Sequence, residues 1–503
     1  MAALNKPNVI LPLAVSYNER GIDGFAATVT NSLDQRKINV QYEPVKNAVT
    51  GKTTLYVVPR PGVVLESGTF GSADQTAYLV SREPGGVSFS PTEMWVISLK
   101  GANARASSNA TTTVIAAGTS RPLYVDLTNI NGTETLVAQF SPSVGTDVTY
   151  YSSDIATFTQ ISDADFTALD VQGKMEHLDG YAHVLASNNR IHSSDLNSLA
   201  NWTATSFVTK QIQQDLPRGL ARFKNQILAF GSRTVEGFYN AGTATGSPLQ
   251  KIPQSFANVG LTEISGSGVT HYYAPLREML YFVGQFGGGE KSKIVIAYNG
   301  SNYERVSTNA VERIIGAGGG VQTYSVSSIL YGGQEAIAIS LTAPGTTPQR
   351  ALLFFPAWND WFEWTSDVFQ PVNQGKFFLA AGTSSADSLY SIRDTNSWID
   401  HSTDYTREIV FNVPTDGNQL RRMAWAGVVA DSQSSGASSS AGTYLQMAVA
   451  KNGDFSFGAA RQIDLRGRKK QIYRWGAFRD CAVKITHSGN AQFRIQNFIA
   501  KTL

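Results

Sequence analysis

The chain has 503 residues, a formal net charge of +2, and 16% charged residues against 42% hydrophobic and 11% aromatic ones. That much apolar side chain can bury a large core and excludes a disordered chain. The near-neutral balance excludes a dedicated nucleic-acid gripper with a strongly basic domain, and the single cysteine, Cys481, excludes an internal disulfide framework or thiolate metal cluster.

The chain opens on "MAALNKPNVILPLAV", an apolar run broken by Pro7 and Pro12. It lacks the sustained apolar region and small-residue cleavage site of a signal peptide, so folding in a reducing cytoplasm is expected. No stretch reaches the roughly 18 apolar residues of a membrane-spanning helix, and no membrane insertion is expected. Residues 1–65, with "RKINVQYEP" from Arg36 and "RPGV" from Arg60, read as a docking segment that packs with the C-terminal domain.

Residues 66–403 read as a propeller-like domain. A helix is predicted over "DADFTALDVQ", Asp163–Gln172. Otherwise short alternating strands and turn residues dominate. A loose unit of strand, polar turn, strand and aromatic recurs from Asp179, Ala221, Leu276, Ser328 and Lys376. These starts lie roughly 25 to 55 residues apart, the range of propeller blades. Each meander cannot bury both faces alone, so neighbours must stack. Residues 404–503 read as a sandwich-like platform, interrupted by the low-complexity loop "DSQSSGASSSAG" and carrying a predicted type I′ turn at "KNGD", Lys451–Asp454.

No segment carries a catalytic set. Glu236 sits at the centre of "TVEGFY". A glycan-cleaving propeller needs a second carboxylate roughly 5 to 9.5 Å away, and none is in evident constellation. Glu236 is read as a strand glutamate paired with an Arg or capping a backbone group. "SSDLNSLANW", Ser193–Trp202, is similar to the turn-pinning Asp-box of sialidase-like propellers, with Asn197 where glycine would help. "GQFGGGEKS" lacks the contiguous Gly-Lys-[Ser/Thr] of a phosphate loop, because Glu290 separates Gly289 from Lys291 and a strand follows. His183 and His192 flank a turn without metal-ligand spacing; neither a metal nor a cofactor is expected. "WNDWFEW", Trp358–Trp364, is read as buried and not as a sugar-stacking platform. The basic run Arg466, Arg468, Lys469 and Lys470 is read as a strand that contacts DNA phosphates or a neighbouring subunit.

The segment "GLARFKNQILAFGSRTVEGFYNAG" resembles the packaged-DNA stabilisation (tail hub or nozzle) proteins of short-tailed bacteriophages, the podoviruses, at Phe230, Gly231, Ser232, Thr234, Glu236, Phe238 and Gly242. Gly260 in "FANVGL", Glu312 in "YNGSNYERVSTNAVERII", and Arg474 and Trp475 in the closing "RKKQIYRWGAFRD" continue the pattern. The resemblance implies an all-β fold: an irregular propeller-like core with a sandwich-like domain built from both terminal segments. It also implies a non-enzymatic virion protein, assembled in the host cytoplasm. As a homohexameric nozzle below the portal, it would retain packaged DNA. Its implied partners are a tail adaptor, tailspikes or fibres, and a needle or plug, with double-stranded DNA passing through unbound. Two other readings stand beside it: a carbohydrate-binding or glycan-cleaving propeller, and a fibre-docking tail component.

Overall fold

The structure is a computed structural model. It describes residues 7, 9–13, 36–46, 51–68, 75–81, 94–100, 103–107, 112–117, 119–142, 147–154, 157–213, 215–243, 245–262, 272–286, 293–316, 323–331, 333–342, 349–366, 377–379, 388–392, 398, 400, 404–413, 420–431, 444–452, 456–467, 470–489 and 491–503. The chain divides into two compact units, one of residues 65–349 and 368–391, the other of 1–64, 350–367 and 392–503.

The first unit is a series of antiparallel meanders. Four-stranded sheets run in chain order over Gln75–Ala117, Thr119–Gln160, Val171–Thr209 and Pro217–Lys251, followed by a five-stranded sheet between Val259 and Arg305 and the hairpin Thr323–Tyr331 with Gln334–Thr342. In the four-stranded sheets consecutive strands pair in order, which is the topology of propeller blades. The same tight turn recurs between first and second strands, since Ile130 pairs with Thr133, Leu178 with Tyr181, Phe223 with Gln226 and Leu276 with Met279. Two residues suffice because the first takes a positive φ at Asn131, Asp179, Lys224 and Arg277 (+49° to +55°), the backbone twist that closes a hairpin without splaying its strands. Faces buried between sheets hold the apolar residues: Leu228, Phe230 and Val235 meet Phe282, Ile294 and Ile296 in one cluster, and Leu185, Ile191, Ile227 and Phe238 meet in another.

The second unit is built from three chain segments. One sheet runs Val40–Lys46, Thr53–Pro59, Ile495–Thr502, Arg421–Ala430 and Gln471–Phe478, with Val9–Pro12 also on Ile495–Thr502. A second includes, in order, Asp360–Ser366, Arg36–Ile38, Arg407–Val413, Cys481–His487, Tyr444–Lys451 and Arg461–Asp464. Phe411 of the second meets Phe498 of the first, ring centroids 4.9 Å apart. Buried charge ties distant segments together: Arg60 forks onto Asp400 at 2.6 and 2.9 Å and lies 3.8 Å from the Tyr405 ring, while Lys37 pairs with Asp360. Such paired geometry, with its hydrogen bonds satisfied, is what makes a fully buried guanidinium tolerable.

One local expectation changes. The helix is only Ala164–Thr167, because the Asp163 carboxylate caps Asp165 and also accepts from the Trp202 N–H, Phe166 packs on Trp202, and the chain re-enters a strand at Val171. Asn452 takes φ +56° and is held by Arg479 and Asp480, while Gly453 and Asp454 of the expected turn lie outside the described residues. Trp361, Phe362 and Trp364 are buried, within the strand Asp360–Ser366. The low-complexity loop after Asp431 and the glycine run 287–290 lie outside the described residues.

Candidate functional site

The segment that carries the resemblance folds into a closed clamp. Phe230, one residue before the end of the strand Gln226–Gly231, meets Phe282 at 5.0 Å. The chain then turns through Ser232 and Arg233 into the strand Val235–Asn240. The Asp215 carboxylate holds that turn, accepting the N–H of Arg233 at 2.8 Å, the N–H of Thr234 at 2.9 Å and the Thr234 hydroxyl at 3.1 Å. Lys210 pairs with Asp215 and donates to the Thr234 hydroxyl at 2.8 Å. Gly231 is required because a Cβ there would lie 2.1 Å from the Asp215 carboxylate. Gly260 is required on the other side, where a Cβ would lie 2.2 Å from the Ser232 carbonyl oxygen.

Glu236 is fully buried in the same clamp. It accepts from the backbone N–H of Ile212 at 2.9 Å and Gln211 at 3.4 Å, and pairs with Lys251 at 2.8 Å. The partner is a lysine where an arginine was one expectation; backbone capping is as expected. Each oxygen is engaged by backbone or by Lys251, inside a fully buried clamp. Phe238 is buried beside it, while Gly242 takes φ +64° in open space. Glu312 sits in the first turn of the helix Asn309–Gly316, accepting two hydrogen bonds from Arg305 at 2.6 and 2.8 Å and one from Ser307 at 2.6 Å.

Arg474 and Trp475 form a bulge in Gln471–Phe478, where Met423 pairs with Gly476 but Trp425 with Tyr473. Arg474 takes φ +66°, and the buried Trp475 lies under the Arg461 guanidinium at 4.8 Å. The basic run is not a continuous strand: Leu465–Gly467 is a turn, because Asp464 folds back to accept the Arg466 N–H at 2.9 Å and its guanidinium at 3.2 Å. Arg468 and Lys469 lie outside the described residues; Lys470 precedes the next strand, its carbonyl accepting from the Val428 N–H at 3.1 Å. The sequence reading therefore groups into a scaffold clamp, a helix anchor and a bulge, not one catalytic constellation. At the Asp-box-like turn, Asn197 takes φ +57° and buried Trp202 donates to the Leu199 carbonyl at 2.9 Å.

A second cluster escaped the sequence reading. A bulge in Val171–Leu178 re-aims Lys174 and Glu176. Lys174 reaches Asp126 at 2.9 Å and Glu176 at 3.2 Å, and the Tyr273 hydroxyl donates to Glu176 at 2.5 Å. Burial opposes the charge on Lys174, but the two carboxylates outweigh it and hold its pKa well above the usual value. Burial pushes Glu176 up to about 7 against the pull of Lys174. Burial lowers His177 to about 4, with Lys174 and Arg222 acting in the same direction and Asp126 against. The available signal was charge at the ends of first strands, "GKMEH" and "ARFK", where an apolar rhythm would continue. Among the described residues, no group of three or more His, Cys, Asp or Glu is placed to hold a metal ion, and no helix is long and apolar enough to cross a membrane.

A family model described as "Bacteriophage P22 Gp10, beta-propeller" matches residues 39–346. No curated protein matches the chain. Among solved structures, one titled as the mitotic checkpoint complex is 12% identical over 65% of this chain and 94% of its own, with a TM-score of 0.34. BamB from Moraxella catarrhalis is 12% identical over 59% and 95%, with a TM-score of 0.31. A family 43 arabinoxylan arabinofuranohydrolase from Bacillus subtilis is 10% identical over 97% and 99%, with a TM-score of 0.25.

Proposed function

The chain belongs to the bacteriophage stabilisation family described by P22 Gp10, a β-propeller, and from that premise we propose that this tail-associated structural protein is the hub, or nozzle, of a short tail. Six copies form a ring below the portal and adaptor. The ring surrounds the DNA exit channel, helps retain packaged DNA, carries tailspikes or fibres outside, and is closed below by a needle or plug. The observation that carries this reading is the family match across the propeller, including the clamp around Glu236. That clamp spends its polar groups on architecture, as a scaffold protein would.

The charge balance supports it. Each phosphate neutralised by a protein adds affinity and would retard DNA moving past; a net charge of +2 suits passage without binding. A ring needs heterologous faces that close on themselves, and in this reading the basic turn around Arg466 and Lys470 serves a subunit contact. Native mass spectrometry of the full chain, alone and with the adaptor complex of the same phage, tests the proposal. A sixfold species on the adaptor is expected. A chain that stays monomeric beside the adaptor, or that hydrolyses polysaccharide, overturns it.

A further inference from the structure

The propeller contains an open cavity of about 560 Å³ at the ends of its first strands, within the roughly 300–1,000 Å³ of small-molecule sites. Its lower wall is the network of Asp126, Lys174, Glu176 and Tyr273. Two further residues of the lining, His177 and Ser327, are only 7% and 2% exposed, and His177 Nε2 and Ser327 Oγ are buried with no hydrogen-bond partner among the described residues. Buried polar atoms are ordinarily satisfied, and each exception calls for an explanation. At the rim, Arg222 is exposed and has no ion-pair or hydrogen-bond partner among the described residues, and Lys224 reaches the Asn299 carbonyl at 3.4 Å and lies 5.2 Å from the Phe223 ring, with no carboxylate partner among the described residues.

The chemistry narrows the occupant. Two rim cations without a carboxylate partner disfavour a cationic ligand and favour an acidic group, which Arg recognises well. A bare oxyanion would leave most of the volume empty. It would also stand near Asp126 and Glu278, which repel it. A hydroxylated body fills the space and turns O–H donors toward those carboxylates, while its oxygens accept from Ser327 and meet His177. We infer that this cavity is a binding site for a small hydroxylated anion, a sugar acid or a sugar phosphate, gripped at its acidic group by Arg222 and Lys224. This site is independent of the ring assembly proposed above.

Isothermal titration of the full chain at low ionic strength, with glucuronate, glucose 6-phosphate, glucose and inorganic phosphate, tests it. One of the two sugar anions is expected to bind one per chain, with glucose and inorganic phosphate at least about tenfold weaker; which sugar anion binds decides between carboxylate and phosphate. Ser327→Ala and Arg222→Ala are each expected to weaken that binding about tenfold. Their melting temperatures should match the parent, because Ser327 Oγ has no hydrogen-bond partner among the described residues and Arg222 is exposed. No binding by either sugar anion overturns the inference. So does binding that both substitutions leave unchanged, or inorganic phosphate binding as tightly as glucose 6-phosphate.

Discussion

The clamp around Glu236 and the cavity around Glu176 lie in the same propeller and both bury charge, yet they resolve it in opposite ways. Glu236 meets two backbone N–H groups and Lys251, and Asp215 meets Lys210, Thr234 and two backbone N–H groups. That network closes on itself. Around Glu176, the ion pairs close only one wall, and His177 Nε2 and Ser327 Oγ, in residues that line the same cavity, have no partner among the described residues. A buried polar network is stabilising when every member is satisfied and costly when it is not. The difference teaches that the family-like residues are architecture, and that the unassigned chemistry lies elsewhere in the blades.

The comparison is broken most directly at Gly260. A methyl there meets the Ser232 carbonyl oxygen at 2.2 Å and the Arg233 nitrogen at 2.4 Å, both backbone. Gly260→Ala should therefore cost on the order of 3–5 kcal/mol in urea unfolding of the propeller. Gly242→Ala has nothing within 4 Å and φ +64°, so it should cost only about 1 kcal/mol, the left-handed backbone penalty. Equal losses would show that the close approach at Ser232 does not pin the hairpin. Next in size, Glu236→Gln keeps the shape but removes the charge facing Lys251, at an expected cost of about 2–3 kcal/mol. A loss below the error of the same unfolding experiment would deny the clamp its structural role.

Acid sharpens the contrast further. His177 and His183 are held neutral by burial, at about 4 and about 3. Their contribution is present above the unfolded value near 6.5 and is lost as pH falls. Glu176 has the opposite sign. Its folded value near 7 lies above the ordinary value of 4.5, so its contribution is present below about 4.5 and lost as pH rises through 7. Between pH 5 and 6 the two histidines make stability rise with pH, and Glu176, one titrating group against two, takes back about half of that rise. Glu176→Gln should therefore roughly double the slope of unfolding free energy against pH in that window. Equal slopes in the two proteins would mean that Glu176 does not titrate there.

Much of the architecture was legible because it is local. Two-residue turns and period-2 alternation announce blades, and the Glu236 strand reads correctly because Val235–Phe238 alternate and no second carboxylate is near in sequence. What was not legible is non-local. Asp126, Lys174, Arg222, Tyr273 and Ser327 come from five separate sheets, and only the stacking of blades brings them to one cavity. The bulge between Gln172 and Glu176 cannot be seen from alternation, since it exists only against the partner strand. The helix expected over 163–172 failed for the same reason: Trp202 takes Phe166 and Asp163, and tertiary contact overrides the local pattern.

The smallest effect concerns charge that looks available in sequence and is not. Arg466 reads as a phosphate contact, but its guanidinium is shared between Asp464 at 3.2 Å and the Tyr444 hydroxyl at 2.9 Å. The pairing lowers the pKa of Asp464 through its hydrogen bonds to Arg466 and raises that of Arg466, so each already answers the other's field. Arg466→Ala should leave the melting temperature unchanged, as expected for an exposed pair in water. It should also leave the affinity for duplex DNA and its dependence on salt unchanged in a fluorescence-polarisation titration. Were Arg466 a phosphate contact, the slope of log affinity against log salt would fall by about one. That result would move the basic turn from the closed networks, represented by Glu236, to the open ones, represented by Glu176.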